Sequence, residues 1–380
     1  MKEQIISKTI TRNILLNPGP ATTSTRVKSA MVVSDICPRE EEFGDLFLNL
    51  SGRLLDVVNA RNSHEAILIG SSGTGAVEAV LSSCNSGNKS ILIIDNGAYG
   101  DRMAKICEVY GVAYETLKFP WGDIVDISRV EEFLVRNAHN FESMAFVHHE
   151  TTSGILNPMN EMCELAKKYN LVTIVDAMSS YAGIEIDLNK TQVDYLISSS
   201  NKCIQAMAGI GIVIAKKEEL QRISKFKAKT HYFDLYKNFE NQKQKKQFLF
   251  TPPVQTVYAL KEAVEEYFSE GQNGRINRYA SLYELMVKGM TELGFRLLAP
   301  IEQHSKILTA FIEPNHLNYS FDSMHSYLYE RGITIYPGKG AKQDSFRISN
   351  IGDLNKDDMT YFLTQISQYL KDSKIDPLYR

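Results

Sequence analysis

Between residues 66 and 215, short apolar segments alternate with segments whose apolar residues recur at helical spacing. The short segments predict strands and the periodic segments predict helices. Alternation of this kind is typical of a largely parallel sheet covered by helices on both faces, so we predict an α/β fold. The predicted strands are residues 66–69, 90–94, 144–147, 171–175, 195–197 and 210–214, and the predicted helices are residues 76–82, 101–110 and 160–169.

The pattern changes after the run Thr251-Pro252-Pro253. Two long segments with helical spacing, 254–270 and 276–293, lead from there into shorter mixed segments. Because 380 residues are more than one simple core accommodates, we predict two domains. Residues 16–255 form the predicted large domain, and residues 1–15 together with 256–380 form a smaller α+β domain.

The composition of the chain argues against several classes of function. A hydrophobic fraction of 43%, a charged fraction of 23% and a net charge of −3 are ordinary for a soluble enzyme, and they carry no signature of nucleic-acid or membrane binding. Five cysteines without C-x-x-C spacing argue against a disulfide framework and a zinc site. Since we find neither an apolar signal core nor an apolar run of membrane-spanning length, we expect a cytoplasmic enzyme without a metal.

Lys202 is the most informative residue of the sequence. It comes shortly after the predicted strand 195–197, and Asp176 comes directly after the predicted strand 171–175. Ligands of parallel sheets collect at the carboxyl ends of the strands, so we expect the two side chains to lie close together. A lysine that is poorly solvated there loses its proton and attacks carbonyls as a neutral amine. A lysine that carries the cofactor and a carboxylate that keeps the ring nitrogen protonated are what a pyridoxal phosphate enzyme needs.

The stretch Ser71-Ser72-Gly73-Thr74-Gly75 follows a predicted strand and opens a predicted helix. Backbone amides at a helix N-terminus, next to small residues, can hold a phosphate group. An ordinary glycine-rich turn is the alternative. A dinucleotide or nucleoside triphosphate site is disfavoured, because the stretch lacks both the GxGxxG pattern and the Walker lysine.

Other residues that can take part in binding or catalysis follow further predicted strands or lie within them. Tyr99 can stack on a flat ring or fill a turn, and the hydroxyl of Thr151 can reach a phenolic oxygen. Arg347 lies in an alternating strand, where it either clamps a carboxylate with two hydrogen bonds or is a surface residue. His148 and His149 are adjacent, so they point to opposite faces, and we interpret them as structural or as supports of site residues rather than metal ligands.

Eight motifs occur in one order over nearly the whole chain: NPGP (17–20), SSGTGAVEA (71–79), NGAYG (96–100), HHETTSG (148–154), VDAMSS (175–180), SSNK (199–202), YPGK (336–339) and FRISNIG (346–352). Together they resemble the fold-type I, class V aminotransferases. The resemblance implies a large domain built on a mainly parallel seven-stranded sheet, a smaller α+β C-terminal domain, and pyridoxal phosphate as the cofactor. The asparagine before Lys202 argues against the cysteine desulfurases of the same fold, which normally have a histidine there.

The resemblance also implies a role for each matching residue. Lys202 binds the cofactor covalently, Asp176 pairs with its ring nitrogen, and Arg347 binds the carboxylate of pyruvate or alanine. Thr251 matches a hydroxyl that reaches the phosphate of the neighbouring subunit's cofactor, which implies a homodimer with shared active sites. The remaining cofactor contacts are Ser72, Gly73, Thr74 and Asn201 at the phosphate, Thr151 at the phenolic oxygen, and Tyr99 stacked on the ring.

Within the family, the segments NPGPATTS (17–24), NGAYGDRM (96–103) and DYLISSSNKCIQ (194–205) are most similar to the branch that transfers the amino group of 2-aminoethylphosphonate to pyruvate. The implied products are phosphonoacetaldehyde and L-alanine, in a reversible reaction that can serve degradation or biosynthesis. Candidate donors to the phosphonate are Thr22, Thr23, Ser24 and Arg39, although loop capping explains each of them equally well. Two alternatives stay open, namely an alanine or serine–glyoxylate (or –pyruvate) transaminase and a non-catalytic binding protein of the same fold.

Overall fold

Strands and helices alternate between residues 64 and 176, almost entirely inside the region 66–215 for which the sequence predicts alternation. The structure is a computed structural model that describes residues 12–338 and 343–375. Within these residues the strands are β1 (Ile14–Leu15), β2 (His64–Ile69), β3 (Ser90–Asp95), β4 (Tyr114–Lys118), β5 (Phe141–Val147), β6 (His149–Glu150), β7 (Ile155–Leu156), β8 (Val172–Asp176), β9 (Tyr195–Ser199), β10 (Gly211–Lys216), β11 (Arg296–Leu297), β12 (Leu308–Ile312), β13 (Ile333–Thr334), β14 (Tyr336–Pro337) and β15 (Ser345–Ser349). The α-helices in the same residues are α1 (Thr25–Ser29), α2 (Glu41–Asp56), α3 (Gly73–Ser83), α4 (Ala98–Val109), α5 (Ile127–Asn137), α6 (Met159–Lys168), α7 (Lys217–Ile223), α8 (Leu235–Lys245), α9 (Val254–Glu270), α10 (Gln272–Glu292), α11 (Phe321–Tyr329) and α12 (Lys356–Asp372).

A seven-stranded sheet with the order β2-β10-β9-β8-β5-β3-β4 is the scaffold of the site. Only β10 is antiparallel to its neighbours, so the predicted α/β class and the mainly parallel seven-stranded sheet are confirmed. Each predicted strand overlaps an observed one. The pattern missed β4 at the sheet edge, because its side chains are mostly half-exposed or exposed and its sequence, YETLK, is largely polar.

Register within this sheet decides which residues meet at its carboxyl edge. Val147 at the end of β5 pairs with Asp176 at the end of β8, and Asp176 pairs with Ile197 of β9. The peptides that leave β5, β8 and β9 therefore emerge side by side. The connections β2 to α3 and β3 to α4 begin at the same edge, so residues far apart in sequence surround one space.

A second, antiparallel sheet of four strands has the order β11-β12-β15-β14, and Arg347 lies in the middle of β15 between Ala310 and Tyr336. Helices α10, α11 and α12 pack their apolar residues against this sheet. Strand β1 pairs with β13, whereas α9 contributes Val257 and Leu260 to the core of the larger sheet. The predicted domain division stays a prediction. Residues 1–11 and 376–380 of its small domain, and Lys339 of the YPGK motif, lie outside the described residues.

The described part of the chain adds two observations that bear on function. None of its helices is both long enough and apolar enough to cross a membrane. No group of three or more histidine, cysteine, aspartate or glutamate side chains is arranged there to hold a metal ion.

Candidate active site

A cavity of about 430 Å³ opens at the carboxyl edge of the large sheet. This volume lies in the range of cofactor and small-molecule sites. Seven of the residues predicted for the cofactor site line it together, namely Ser72, Gly73, Thr74, Tyr99, Asp176, Asn201 and Lys202. The other lining residues are Val77, Arg102, Met178, Ser199, Ala208 and Gly209.

The first turn of α3 forms one wall of this cavity. Ser72 is the N-cap of the helix, and its side chain makes no capping hydrogen bond, so the first amides are available to a ligand. The backbone can come this close to the opposite wall because residue 73 is a glycine, since a Cβ atom there would overlap the thioether of Met178. An open helix N-terminus with small residues attracts anions, and it fits a phosphate group.

Lys202 lies in the connection between β9 and β10, three residues beyond the end of β9. Its Nζ donates a hydrogen bond to the carbonyl oxygen of Pro18 at 2.5 Å, and the chain passes over it at Gly19, where φ is +128°. The positive φ strongly favours glycine here, and a Cβ atom at this position would also lie 2.5 Å from Nζ and displace the Lys202 amine. Burial lowers the pKa of Lys202 to about 8, which leaves part of the amine neutral near physiological pH.

Asp176 ends β8 and is 5% exposed. Burial raises its pKa to about 6, while the amide of Met178, which donates to Oδ1 at 2.8 Å, and the charges of Arg102 and Lys202 oppose that rise. The carboxylate is therefore ionised at neutral pH, although the positive charges and hydrogen bonds of this chain do not fully offset the cost of burying its charge. A positively charged partner in the cavity, such as a protonated ring nitrogen, would stabilise it.

Helix α4 brings two side chains to the cavity from successive turns. Tyr99 lies in its first turn, and the guanidinium of Arg102 is 4.7 Å from the centre of the Tyr99 ring. Nη1 of Arg102 also faces the hydroxyl of Thr74, at 3.4 Å. Arg102 and Met178 line the cavity in addition to the residues that the sequence predicts. Arg102 lies in the segment NGAYGDRM, three positions after Tyr99, and Met178 lies in VDAMSS, two positions after Asp176, so membership of these motifs is the signal that the sequence offers.

Glu150 is a buried carboxylate near the cavity for which the sequence predicts no role. It is 0% exposed, and burial raises its pKa to about 7. It accepts hydrogen bonds from the amides of Thr152 and Tyr99, at 3.0 and 3.4 Å, and from the hydroxyl of Thr152. Because α4 has no side-chain cap of its own, Glu150 holds the helix turn that presents Tyr99.

Arg347 and Thr151 lie next to the cavity. Arg347 is 6% exposed and donates from Nη1 to the carbonyl of Thr151 at 3.1 Å and from Nε to that of Pro337 at 3.0 Å. Both acceptors are neutral, and no carboxylate in the described residues forms an ion pair with the guanidinium. Its positive charge is among those that lower the pKa of Lys202. Thr151 lines a small adjoining pocket together with Tyr99, Asp176 and Lys202.

Five further predicted residues do not line the cavity. The hydroxyl of Thr22 accepts the amide of Leu15 at 3.0 Å, and the hydroxyl of Thr23 faces the sulfur of Met207 at 4.0 Å. Ser24 caps α1 and donates to Glu266 at 2.7 Å. Thus the hydroxyls of Thr22 and Ser24 serve local structure.

Arg39 and Thr251 both lie on the surface. The Arg39 guanidinium donates to Gln247 at 3.1 Å and to the carbonyl of Phe248 at 2.8 Å. Thr251 is exposed just before α9. Their predicted roles in binding remain predictions.

Comparison with known proteins identifies the family of this chain. The family model described as aminotransferase class-V matches residues 24–356. A 2-aminoethylphosphonate–pyruvate transaminase of Bacteroides fragilis is 40% identical over 91% of this chain and 95% of its own length. An enzyme of the same name from Bacillus cereus is 38% identical over 93% of this chain and 97% of its own length.

The chain belongs to the class-V aminotransferases. Its fold agrees with this: the crystal structure of an alanine–glyoxylate aminotransferase from Nostoc sp. matches with a TM-score of 0.89, covering 97% of this chain and 98% of the other. At 23% identity that match shows the fold alone.

Class-V aminotransferases depend on pyridoxal phosphate, and the cavity fits this cofactor. The open first turn of α3 suits its phosphate, and the undercompensated Asp176 suits its protonated ring nitrogen. The partly neutral Lys202 suits its aldehyde. Tyr99 and Met178 supply a ring and a thioether on the walls between them, which suits the flat pyridine.

Proposed function

We propose that this chain is a pyridoxal-phosphate-dependent transaminase that moves the amino group of 2-aminoethylphosphonate to pyruvate, giving phosphonoacetaldehyde and L-alanine. The observation that carries the chemistry is the pair of a partly neutral lysine and a buried aspartate at neighbouring strand ends, with the buried Arg347 beside them. The 40% identity to the Bacteroides fragilis enzyme over 91% of the chain supports the choice of substrate.

The residues that would hold the cofactor divide by the part they contact. Bound pyridoxal phosphate supplies an aldehyde that takes up the amino group and a ring that withdraws electrons from the adjacent carbon. Lys202 would bind at the aldehyde and Asp176 at the ring nitrogen, while Thr151 would contact the phenolic oxygen. The phosphate contacts we propose are Ser72, Gly73, Thr74 and Asn201, and the ring contacts are Tyr99 and Met178.

We assign the proton transfer to Nζ of Lys202. With the cofactor bound, Nζ of Lys202 would be the base that moves a proton between the substrate carbon that carries the nitrogen and the aldehyde carbon of the cofactor. Burial lowers the pKa of Lys202 to about 8, which favours the neutral form that a base needs. A positioned base of this kind contributes about 10²- to 10⁴-fold to the rate.

Asp176 would keep a proton on the ring nitrogen of the bound cofactor. With a pKa of about 6, its carboxylate is ionised at pH 7, and the low polarity around it strengthens its attraction for a cationic partner. The hydrogen bond from Met178 fixes the orientation of the carboxylate. An asparagine at this position would keep the shape but would not hold the proton.

Arg347 binds the anionic group of each substrate in turn, the phosphonate first and the carboxylate of pyruvate later. Its backbone contacts to Thr151 and Pro337 orient the guanidinium without neutralising it, so the positive charge is retained for a ligand. Thr22, Thr23, Ser24 and Arg39 stay as proposed further donors to the phosphonate.

Assembly and location follow from the same proposal. Thr251 is exposed and lies outside the cavity of its own chain, which supports a homodimer in which it reaches the phosphate of the neighbouring subunit's cofactor. Sedimentation of the holoenzyme would show a dimer, and Thr251→Val would weaken cofactor binding. All five cysteines are unpaired, which supports the reducing cytoplasm as its location.

Steady-state kinetics with two substrate pairs test the substrate. The purified holoenzyme is given 2-aminoethylphosphonate with pyruvate and, separately, L-serine with glyoxylate, and kcat/KM is measured for each pair. The proposal predicts that the phosphonate pair is used at least about 100-fold better, because the binding site must pair a doubly charged group. Preference for serine and glyoxylate would contradict the substrate while leaving the transaminase chemistry intact.

A further inference from the structure

His149 has a buried ring nitrogen without a partner. The side chain is 2% exposed, and its Nδ1 lies 2.9 Å from the hydroxyl oxygen of Ser179. Its Nε2 is buried and has no hydrogen-bond partner among the described residues. Buried polar atoms are paired in the large majority of cases, so an unpaired one at a site requires a reason.

The ring of His149 lines a pocket of about 20 Å³ that adjoins the main cavity. Tyr99, Asp176, Met178 and Lys202 line both spaces. Ser72, Gly73 and Thr74 belong only to the main cavity, whereas His149 and Thr151 belong only to the pocket. The phosphate-binding turn and the pair His149–Thr151 therefore lie on different sides of the four shared residues.

The shape of the cofactor then determines what His149 meets. In pyridoxal phosphate the aldehyde carbon and the ring nitrogen lie opposite one another, and the phosphate arm and the phenolic oxygen lie on opposite edges. If Lys202 and Asp176 hold the first two and α3 holds the phosphate, the edge with the phenolic oxygen faces the side of Thr151 and His149.

We propose that Nε2 of His149 donates a hydrogen bond to the phenolic oxygen of the cofactor, beside Thr151. The inference rests on the proposed function only for the identity of the cofactor, and it does not depend on which amine is the substrate. The unpaired nitrogen obtains its partner from the ligand. The donor in turn favours the ionised form of the phenolic oxygen.

Ser179 sets the tautomer that this role needs. Its hydroxyl lies 2.9 Å from Nδ1 of His149 and 3.4 Å from the carbonyl oxygen of the same residue, so donation to Nδ1 is the better hydrogen bond. A ring that accepts at Nδ1 carries its proton at Nε2. Burial lowers the pKa of His149 to about 3, and the charges of His148 and Lys202 add to the effect, so the ring is a neutral donor.

The neighbouring His148 provides a matched control. It is 4% exposed, its Nδ1 lies 2.9 Å from the hydroxyl of Ser180, and burial lowers its pKa to about 4. It differs from His149 because it lines neither the cavity nor the pocket, and because its Nε2 is not among the buried atoms that lack a partner in the described residues. Replacement of each histidine by asparagine places an amide near Nδ1, whose oxygen can accept from the serine hydroxyl, and removes Nε2. Glutamine instead places a donating nitrogen near Nε2.

The experiment measures cofactor binding without substrate. Apoprotein variants His149→Asn, His149→Gln and His148→Asn are titrated with pyridoxal phosphate, and the visible absorption of each bound cofactor is followed against pH. We expect His149→Asn to weaken binding about tenfold and to raise the pH of the spectral transition, because a charge-assisted hydrogen bond is lost. His149→Gln should stay within about threefold of the unmodified protein, and His148→Asn should leave both properties unchanged.

A cofactor analogue without the phenolic oxygen isolates the contact. The proposal predicts that His149→Asn no longer weakens binding of this analogue, since the acceptor is absent. An equal loss with both cofactors, or equal effects of His149→Asn and His148→Asn, would overturn it.

If His149→Asn does not fold, Ser179→Ala carries the test. Without the Ser179 hydroxyl, the proton of His149 is no longer fixed on Nε2. Binding of pyridoxal phosphate should then weaken by about threefold and the spectral transition should shift, and unchanged values would overturn the proposal. If 2-aminoethylphosphonate proves not to be the substrate, these measurements on the resting holoenzyme keep their meaning.

Discussion

Two groups of polar residues, each wholly or partly buried, differ in how many hydrogen-bond and ion-pair partners this chain supplies to them. The first, the site cluster, consists of Lys202, Asp176 and His149 at the carboxyl edge of the large sheet. The second, the bridge cluster, consists of Glu270, Arg275, Arg278 and Tyr279 at the junction of α9 and α10. Both contain ionisable groups that are wholly or partly buried, so burial alone does not distinguish a site from a structural element.

The bridge cluster is fully paired. Arg275, which is 1% exposed, donates to Glu270 at 2.5 Å and to the carbonyl of Cys203 at 2.7 Å. Arg278 donates to Glu270 at 2.7 Å and to the carbonyl of Gly352 at 2.7 Å. Burial would raise the pKa of Glu270, but the two guanidinium groups outweigh it and leave the pKa below its usual value. This cluster connects the segment after Lys202 with the segment after Arg347.

The site cluster shows the opposite behaviour. Burial lowers the pKa of Lys202 to about 8 and of His149 to about 3, and it raises that of Asp176 to about 6. Every shift disfavours the charged form, because the partners in this chain are too few to offset desolvation. We infer from this difference that the bridge cluster stabilises the fold, and we propose that a ligand supplies the partners that the site cluster lacks.

The largest expected effect comes from the site cluster. Lys202→Ala should lower the transaminase rate by at least about 10³-fold, since it removes the base and the covalent attachment of the cofactor. Turnover with 2-aminoethylphosphonate and pyruvate measures it. Thermal unfolding of the apoprotein is the control, and it should change little. Substantial residual turnover would place the chemistry elsewhere.

Asp176→Asn separates function from stability. Turnover should fall about 100-fold, because the ring nitrogen loses its proton. The pKa of Asp176 is about 6 in the folded apoprotein, whereas its usual value, which we take for the unfolded chain, is 3.8. Between about pH 4 and pH 6 the folded protein therefore binds more protons than the unfolded chain. As a result, the free energy of unfolding falls as pH rises through this range.

The variant should therefore exceed the unmodified apoprotein in free energy of unfolding by up to about 3 kcal/mol at pH 7, and the gain should vanish near pH 4. Urea unfolding at the two pH values checks this. A gain that does not depend on pH would show that the carboxylate is already compensated in the apoprotein.

Arg275→Met probes the bridge cluster. Loss of the guanidinium leaves Glu270 with Arg278 as its ion-pair partner, and it leaves the Cys203 carbonyl with the more distant hydroxyl of Tyr279. The free energy of unfolding should therefore fall by about 2 kcal/mol. The affinity for pyridoxal phosphate should stay within about threefold of the original value. Urea unfolding and cofactor titration of the same preparation test the two statements. A loss of affinity without a loss of stability would reverse the assignment of the two clusters.

Arg347→Lys tests whether a planar guanidinium is required for the anion. A lysine keeps the positive charge but cannot form two parallel hydrogen bonds, so KM for pyruvate should rise about tenfold with a smaller change in kcat. Initial rates at saturating amino donor give both constants. A change confined to kcat would show that Arg347 acts on the chemistry rather than on binding.

The smallest expected effect is the pH dependence of cofactor uptake by the apoprotein. Only the neutral amine of Lys202 attacks the aldehyde, and its pKa is about 8. The uptake rate should rise about fivefold between pH 7 and pH 8 and level off above pH 9. Stopped-flow absorbance records it. A rise that continues to pH 10 would indicate a lysine with its ordinary pKa.

Much of the fold and of the candidate site could be predicted from the sequence, because most strands of the large sheet are apolar runs and Lys202 and Asp176 lie at or just beyond the ends of two of them. The helix predicted at 254–270 matches α9 in full. Edge strand β4 and helix α8 are not predicted, since neither has a strong apolar pattern. Helices α2, α5 and α12 are not predicted either, although their buried apolar residues recur at helical spacing. The importance of His149 and Arg102 could not be predicted, because it depends on which face of a strand or helix meets a cavity that distant segments form.

A single-turnover experiment tests the proposed function most directly. The holoenzyme is mixed with 2-aminoethylphosphonate in the absence of pyruvate, and the visible absorption of the cofactor is followed before and after pyruvate is added. The proposed function predicts that the phosphonate removes this absorption with one phosphonoacetaldehyde formed per site, and that pyruvate restores it with one L-alanine per site. Unchanged absorption with 2-aminoethylphosphonate, together with its loss when L-serine is added, would contradict the proposed function.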